Sequence, residues 1–382
     1  MPHTAQPGRN LPSLTSLRFF AAALVAYFHA SVWVHQGGAP TGVALFGFVG
    51  VTFFFVLSGF VLTWTWKPHE PARRFYLRRF ARIYPLHLAT ALAAMLLGIT
   101  GVVAVNDSSG AIVTNLLLVQ SWTRYVYGLN DSSWSLSVEA FFYAVFPLLV
   151  VRLARLDSPR GVAAITVVWL GFVGGVADHL SPTADGWLYS IPAYRIGEFV
   201  VGSALALSLR RGPSMRRLPV WTAGLLAAAC YLALGPIDWA SGHSLTAGQW
   251  KANLLMLPAF ALLIVTAAQR DLAGETGWLH HPWLIKLGQW SFALYLIHDL
   301  ALRAFMPLLT GPWAWPLAIL VLVLAQALAA AAYEWYERPV ERYIRSLGHQ
   351  KESTIATTTP ATSSNPTPTP VPAPATERVR AD

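Results

Sequence analysis

The run LTSLRFFAAALVAYFHASVWV, residues 14–34, decides how the rest of the chain is read. It is apolar over the length at which a single helix crosses a bilayer, yet Arg18 stands near its start and His29 deep inside it. The spacing between them is about three helical turns, so both side chains share one face, roughly 16 Å apart along the axis. An ionisable group at such depth is costly unless it is paired or faces a polar cavity. A functional cavity beside this helix is therefore expected.

Composition supports a membrane reading of the whole chain. Of 382 residues, 55% are hydrophobic and 12% charged, against about 25% charged in a soluble domain, and the mean hydropathy is +0.47. The fold class expected is an all-α, polytopic transmembrane helical bundle. A net charge of +9 raises the question of nucleic acid, but the basic residues fall in short clusters between apolar runs. That is the positive-inside pattern, and no nucleic-acid partner is expected. The single cysteine, Cys230, lies in an apolar run and excludes internal disulfides.

About ten spans of near-bilayer length follow, near residues 14–35, 43–65, 81–100, 136–153, 161–178, 189–209, 219–235, 251–269, 288–309 and 313–336. Clusters such as Arg73, Arg74, Arg78 and Arg79, or Arg210, Arg211, Arg216 and Arg217, all fall on one side, which places both termini in the cytoplasm of a multi-pass plasma-membrane protein. Residues 1–13 read as a cytoplasmic arm, 14–345 as the membrane domain, and 346–382 as a disordered cytoplasmic tail rich in Pro, Thr and Ala. The longest external connection, 101–135, contains an apolar stretch at 112–122 that is too short to cross, so a re-entrant or interfacial segment is expected there. Trp187, Trp239 and Trp250 read as headgroup-level belt residues.

Several polar clusters interrupt the apolar runs. In RRFARIYPLH, residues 78–87, Arg79 and Arg82 share a helical face at the cytoplasmic entrance of the third span. They serve either as positive-inside anchors or as a bidentate grip for phosphate. In WSLSVEAFFYAVFP, residues 134–147, Ser135 or Ser137 would cap the fourth-span helix at its external mouth with Glu139 in the first turn. The same carboxylate would equally orient a histidine or bind a sugar hydroxyl. Arg195 and Glu198 in PAYRIGEFVVG, residues 192–202, are expected to form an intramembrane pair. His298 and Asp299 interrupt the ninth span, and adjacent helical positions point about 100° apart, so they form no dyad with each other. Glu334, Glu337, Arg338 and Glu341, near the C-terminal end of the last span, read as a structural charge network. No nucleophile elbow, Walker loop or zinc-type spacing is present in the sequence, and no metal is expected.

Taken in order, these motifs resemble the acyltransferase 3 family of integral membrane acyltransferases. The likeness rests on Arg18 and His29, on Arg79 and Arg82, on FFVLSGF at 54–60, on SLSVE at 135–139 and on YLIH at 295–298. Phe19 and Ala140 stand where family members often carry Gly and a second Glu, and the opening segment looks most like actinobacterial members, including macrolide O-acyltransferases. The resemblance implies transfer of an acyl group from cytoplasmic acyl-CoA, acetyl-CoA first, to a hydroxyl of a carbohydrate or a macrolide. His29 and Glu139 would then be catalytic, and Arg18, Arg79 and Arg82 would bind the CoA phosphates. Ser135, Ser137, Arg195, Glu198 and His298 complete the candidate site. The alternative is a secondary transporter or flippase for a sugar-bearing substrate, with His29, Arg195, Glu198 and His298 as a relay.

Overall fold

The computed structural model describes residues 9–181, 185–212 and 218–347. Most of the expected N-terminal arm, the tail beyond residue 347, and Arg216 and Arg217 lie outside the described residues. Among the described residues the chain is all-α. The long helices are α1 (Pro12–Val34), α2 (Gly50–Thr65), α3 (Ala72–Ile99), α5 (Trp134–Ala154), α6 (Pro159–Leu180), α8 (Pro192–Arg210), α9 (Val220–Ala240), α11 (Gln249–Leu272), α12 (Pro282–Phe305) and α13 (Ala314–Ala332). Short helices α4 (Ser109–Leu116), α7 (Asp185–Ser190) and α10 (Ser244–Ala247) lie in the connections, and a π-helical turn at Tyr333–Glu337 carries α13 onward to residue 347.

Local sequence accounts for several helix starts. Pro12, Pro159, Pro192 and Pro282 stand in the first turn of their helices, where a missing N–H costs nothing. At α6 the Ser158 hydroxyl accepts from the Gly161 amide at 3.2 Å. The N-terminus of α1 is capped from a distance. Asp271, at the end of α11, accepts from the Ser13 amide at 3.0 Å and the Ser13 hydroxyl at 2.6 Å, placing a carboxylate at the positive end of the α1 dipole.

All ten expected spans are helices, and eight of the described helical segments are long and apolar enough to cross a membrane by length and composition. The two below that mark are α8 and α12, which carry Arg195 and Glu198, and Asp299 and Arg303. Their polarity is turned inward: Arg195, Glu198, His298 and Asp299 are all buried. The apolar exterior lies instead on the peripheral helices. The α2 segment is 78% buried, whereas α6 and α9 are each 17% buried and expose Ile165, Trp169, Phe172, Trp221 and Leu225. Such apolar faces are stable against lipid and would be an aggregation surface in water. The chain is an integral membrane protein.

The core forms by close backbone approach, the usual way helices associate in lipid, where apolar contact alone gives no preference. α2 and α8 meet most extensively. A β-carbon on Gly202 would stand 1.9 Å from the Val56 carbonyl oxygen, and one on Gly59 would stand 2.0 Å from that of Phe199. On the other side of α1, a β-carbon on Gly288 of α12 would stand 1.9 Å from the Thr15 carbonyl oxygen.

Two expectations are sharpened. Residues 112–122 form the end of α4 and a 3-10 turn at Gln120–Trp122, tied down where His87 meets the Asn115 carbonyl at 2.9 Å and Gln120 donates to the Ser133 carbonyl at 3.0 Å. Trp187 and Trp239 are exposed, but Trp250 is not a belt residue: it is buried and donates its indole N–H to Asp178 at 2.9 Å.

Replacing a helical glycine by alanine normally stabilises by about 1 kcal/mol, while overpacking a tight contact costs about 1–3 kcal/mol. Gly202→Ala is therefore expected to lower the melting temperature in detergent micelles. Gly175→Ala, where a β-carbon meets open space, is expected to raise it. Shifts of the same sign would contradict the α2–α8 packing.

Candidate active site

A cavity of about 140 Å³ opens between α1, α2, α3, α5 and α12. Its polar lining comes from Arg18 of α1, Ser58 of α2, Arg79 and Arg82 of α3, and Ser135, Glu139 and Tyr143 of α5, with Phe292 and Tyr295 of α12 closing one wall. The helical spacings noted in the sequence do the placing. Arg79 and Arg82 share a face, and Glu139 and Tyr143, one turn apart, project together.

The three arginines are not equivalent. Arg82 is held by Glu337 from the π-helical turn, with Glu341 at 3.6 Å, and its guanidinium lies over the Phe292 ring at 5.4 Å. Among the described residues neither Arg18 nor Arg79 has a carboxylate within ion-pair distance. Arg79 lies between the rings of Phe75 and Tyr143, at 5.9 and 5.8 Å, with its Nε buried and unpartnered. Two unneutralised cations thus face one small space, the arrangement that receives an anion. The C-terminal charge network read from the sequence as structural includes the partner of one of the three expected phosphate ligands.

Glu139 also departs from expectation. The helix begins at Trp134 without a side-chain cap and with no acidic residue in its first turn, so Glu139 caps nothing and does not stand apart at an external mouth. It faces the same cavity as the arginines, where one carboxylate oxygen accepts from the Ser58 hydroxyl at 2.9 Å and from the Tyr143 hydroxyl. Ser135 lines the cavity and meets the Tyr295 hydroxyl at 2.9 Å. Ser137 accepts from the Ser121 amide at 3.2 Å, which ties the α4–α5 connection to α5.

His29 does not line this cavity. Its Nδ1 lies 2.9 Å from Nε2 of His298 on α12, and one turn further along α1 the Trp33 indole donates to Asp299 at 2.8 Å. His298 and Asp299 therefore point to different partners, as adjacent helical positions must. Tyr295 connects the two regions: its ring is 5.9 Å from that of His298 on one side, and it forms part of the cavity wall on the other. Arg195 and Glu198 pair at 2.7 Å, with Thr52 donating to Glu198 at 3.1 Å and the guanidinium 5.0 Å from the Phe55 ring. Arg195 Nε and Glu198 Oε2 are buried without a hydrogen-bond partner, and no hydrogen bond or ion pair among the described residues joins the pair to His29 and His298, as a relay would require.

Sequence reasoning misses Ser58, Tyr143 and Tyr295 as site residues. Tyr143 is accessible to it, one turn beyond Glu139, and Ser58 and Tyr295 lie within motifs noted for their resemblance. The partnership of His29 with His298 leaves no local signal, since the two are 269 residues apart.

Residues 11–334 match the acyltransferase domain family. The chain is 36% identical over 322 residues to the acyltransferase MdmB of Streptomyces mycarofaciens, covering 77% of this chain and 79% of that protein. It is 26% identical over 369 residues to nodulation protein 10 of Rhizobium leguminosarum, covering 87% of this chain and 93% of the relative. A putative peptidoglycan O-acetyltransferase, YrhL of Bacillus subtilis, is 26% identical over 380 residues, covering 89% of this chain but only 56% of the longer relative. No solved structure matches. With nearly its whole helical bundle inside the match, the chain belongs to the acyltransferase 3 family of integral membrane acyltransferases.

Proposed function

We propose that the protein transfers an acyl group, acetyl in the first instance, from cytoplasmic acyl-CoA to a hydroxyl of a carbohydrate or macrolide acceptor, across a bundle of ten membrane crossings with both termini cytoplasmic. The observation that carries this reading is the pair of unneutralised guanidiniums, Arg18 and Arg79, in a cavity whose far wall, Tyr295, abuts the pair of His29 and His298. The residues present fit such a donor. Phosphate oxygens match the two unneutralised cations, and a space of about 140 Å³ suits a small acyl group and its thioester, whereas pockets for whole drug-sized ligands run to about 300 Å³ or more. The acceptor is met beyond that cavity, on the side of the histidines. O-acetyl transfer agrees with the name of the Bacillus subtilis relative.

In this reading the donor supplies the activated carbonyl, and the protein supplies charge, position and a base. His29 takes the proton of the acceptor hydroxyl as its oxygen bonds to the thioester carbon. The carbon–sulfur bond then breaks, and the imidazolium returns the proton to the departing thiolate. Glu139, held by Ser58 and Tyr143, keeps one carboxylate in the cavity to offset the two cations and to orient the donor. The family match, and the lack among the described residues of a hydrogen bond or ion pair from Arg195 and Glu198 to the histidines, favour this reading over a transporter with a buried relay.

His29→Ala is expected to abolish release of free CoA from acetyl-CoA by the purified protein while leaving its melting temperature within the wild-type range. Wild-type turnover in that variant would remove the mechanism. The arginines are expected to separate. Arg79→Ala should raise the KM for acetyl-CoA at least about tenfold, the loss of one charge-assisted contact of about 1.5–3 kcal/mol, with the melting temperature unchanged. Arg82→Ala should lower the melting temperature by several degrees, because it leaves Glu337 buried without its partner. Unchanged KM in Arg79→Ala, measured by thiol titration across donor concentrations, would return Arg79 to a topological role.

A further inference from the structure

We infer that His298 is a positioning residue that fixes the tautomer of His29, placing the proton on Nδ1 and leaving Nε2 bare as the basic nitrogen. This rests on the reading of His29 as the general base and extends it to the atom that acts.

Hydrogen-bond parity along the chain of rings sets the tautomer. His298 is fully buried, and its Nδ1 lies 3.0 Å from the Leu294 carbonyl oxygen, one turn back on α12. A carbonyl can only accept, so Nδ1 of His298 must carry a proton. A neutral imidazole has only one, so Nε2 of His298 is then an acceptor. That nitrogen lies 2.9 Å from Nδ1 of His29, which must therefore donate. With its one proton committed to Nδ1, neutral His29 presents a lone pair at Nε2.

The opposite polarity requires Nε2 of His298 to donate as well, which makes His298 an imidazolium inside the bundle. Among the described residues no carboxylate is hydrogen-bonded to His298. The adjacent Asp299 gives Oδ1 to the Trp33 indole and leaves Oδ2 without a hydrogen bond, Asp131 is paired with Arg303 at 3.1 Å, and Nε2 of His298 meets His29. A charge at that depth without a hydrogen-bonded counter-ion is the costly alternative. The same helical geometry recurs on α1, where Nδ1 of His35 lies 2.6 Å from the Ser31 carbonyl oxygen. In each case a carbonyl one turn back along the helix requires a proton on the ring.

The arrangement gives Asp299 and Trp33 a supporting part. Their bond, one turn beyond the histidines, holds α1 and α12 in the register at which the two rings meet. It also explains how a base can be oriented here with no carboxylate on its own ring: a second neutral histidine, locked by a backbone carbonyl, takes the role that a buried aspartate has in a serine-protease triad. There, reversing the tautomer costs about 10⁴-fold in kcat. Here the loss of the lock leaves both tautomers open rather than enforcing the wrong one, so a smaller effect is expected.

The test has one arm that does not depend on turnover. The full-length protein, labelled with 15N-histidine and reconstituted in phosphatidylcholine vesicles, is examined by solid-state NMR at neutral pH. His29 is assigned by the signals lost in His29→Gln. The expected spectrum shows a protonated Nδ1 and a bare Nε2 for His29, and any protonation of its Nε2 overturns the inference. The second arm measures CoA release from acetyl-CoA. His298→Leu, which cannot accept, should lower kcat about tenfold or more, short of the full contribution of a general base, with the KM for acetyl-CoA unchanged. His298→Gln, whose amide oxygen can occupy the place of Nε2, should recover most of that loss. Wild-type kcat in His298→Leu, or Gln no better than Leu in variants of matched melting temperature, overturns the assignment. Activity in His29→Ala would instead sink the general-base reading, whatever the tautomer, so the two failures are distinguishable.

Discussion

The contact between α1 and α12 is what the rest of the site depends on. It is made at three levels: Gly288 lies under the Thr15 carbonyl, His29 meets His298, and Trp33 donates to Asp299. Polar contacts inside a bilayer have no water to compete with and no apolar driving force to help them, so helices come together where small residues permit close approach and polar groups find partners. Here the close approach at one end brings α12 near enough for its polar residues to be used at the other. α12 carries Phe292 and Tyr295 on the cavity wall and His298 one turn on. The same helix therefore shapes the arginine-lined cavity and meets the His29 imidazole.

The charges inside the bundle divide into those satisfied by the protein and those left for something else. Arg195 is ion-paired with Glu198 and meets Thr52, and Arg82 is ion-paired with Glu337 and Glu341. These pairs relieve the cost of burial and fix the bundle, which is a structural use of intramembrane charge. Among the described residues Arg18 and Arg79 have no ion-pair partner, and both line the cavity that Glu139 also faces. The contrast within one cluster argues more strongly than the number of basic residues does. The chain pairs some of its buried arginines with its own carboxylates and, among the described residues, leaves two beside them without an ion-pair partner.

Much of the fold is legible in the sequence because lipid imposes simple rules. Ten apolar runs of bilayer length are ten helices. Legibility falls where a residue's role depends on a neighbour far away in the chain. Glu139 has the sequence signature of a capping carboxylate because Ser and Glu stand in the right spacing, yet the helix starts without a side-chain cap and the carboxylate turns to Ser58 of another helix. Trp250 resembles a belt residue by composition alone, yet Asp178 draws its indole inside.

The sequence by itself determined that the chain is a membrane-embedded helical bundle, that Arg18 and His29 share a face of one helix, that Arg79 and Arg82 share a face of another, and to which family the motifs belong. Those conclusions about placement need only the period of a helix and the thickness of a bilayer. Only the tertiary structure decided that Arg82 is ion-paired while, among the described residues, Arg18 and Arg79 are not, that Glu139 shares their cavity, and that His29 is partnered by a histidine 269 residues away. The physical reason is that lipid-facing and partner-facing surfaces of a membrane helix are both apolar. Periodicity therefore shows which residues lie together on one helix, but not which helix they meet.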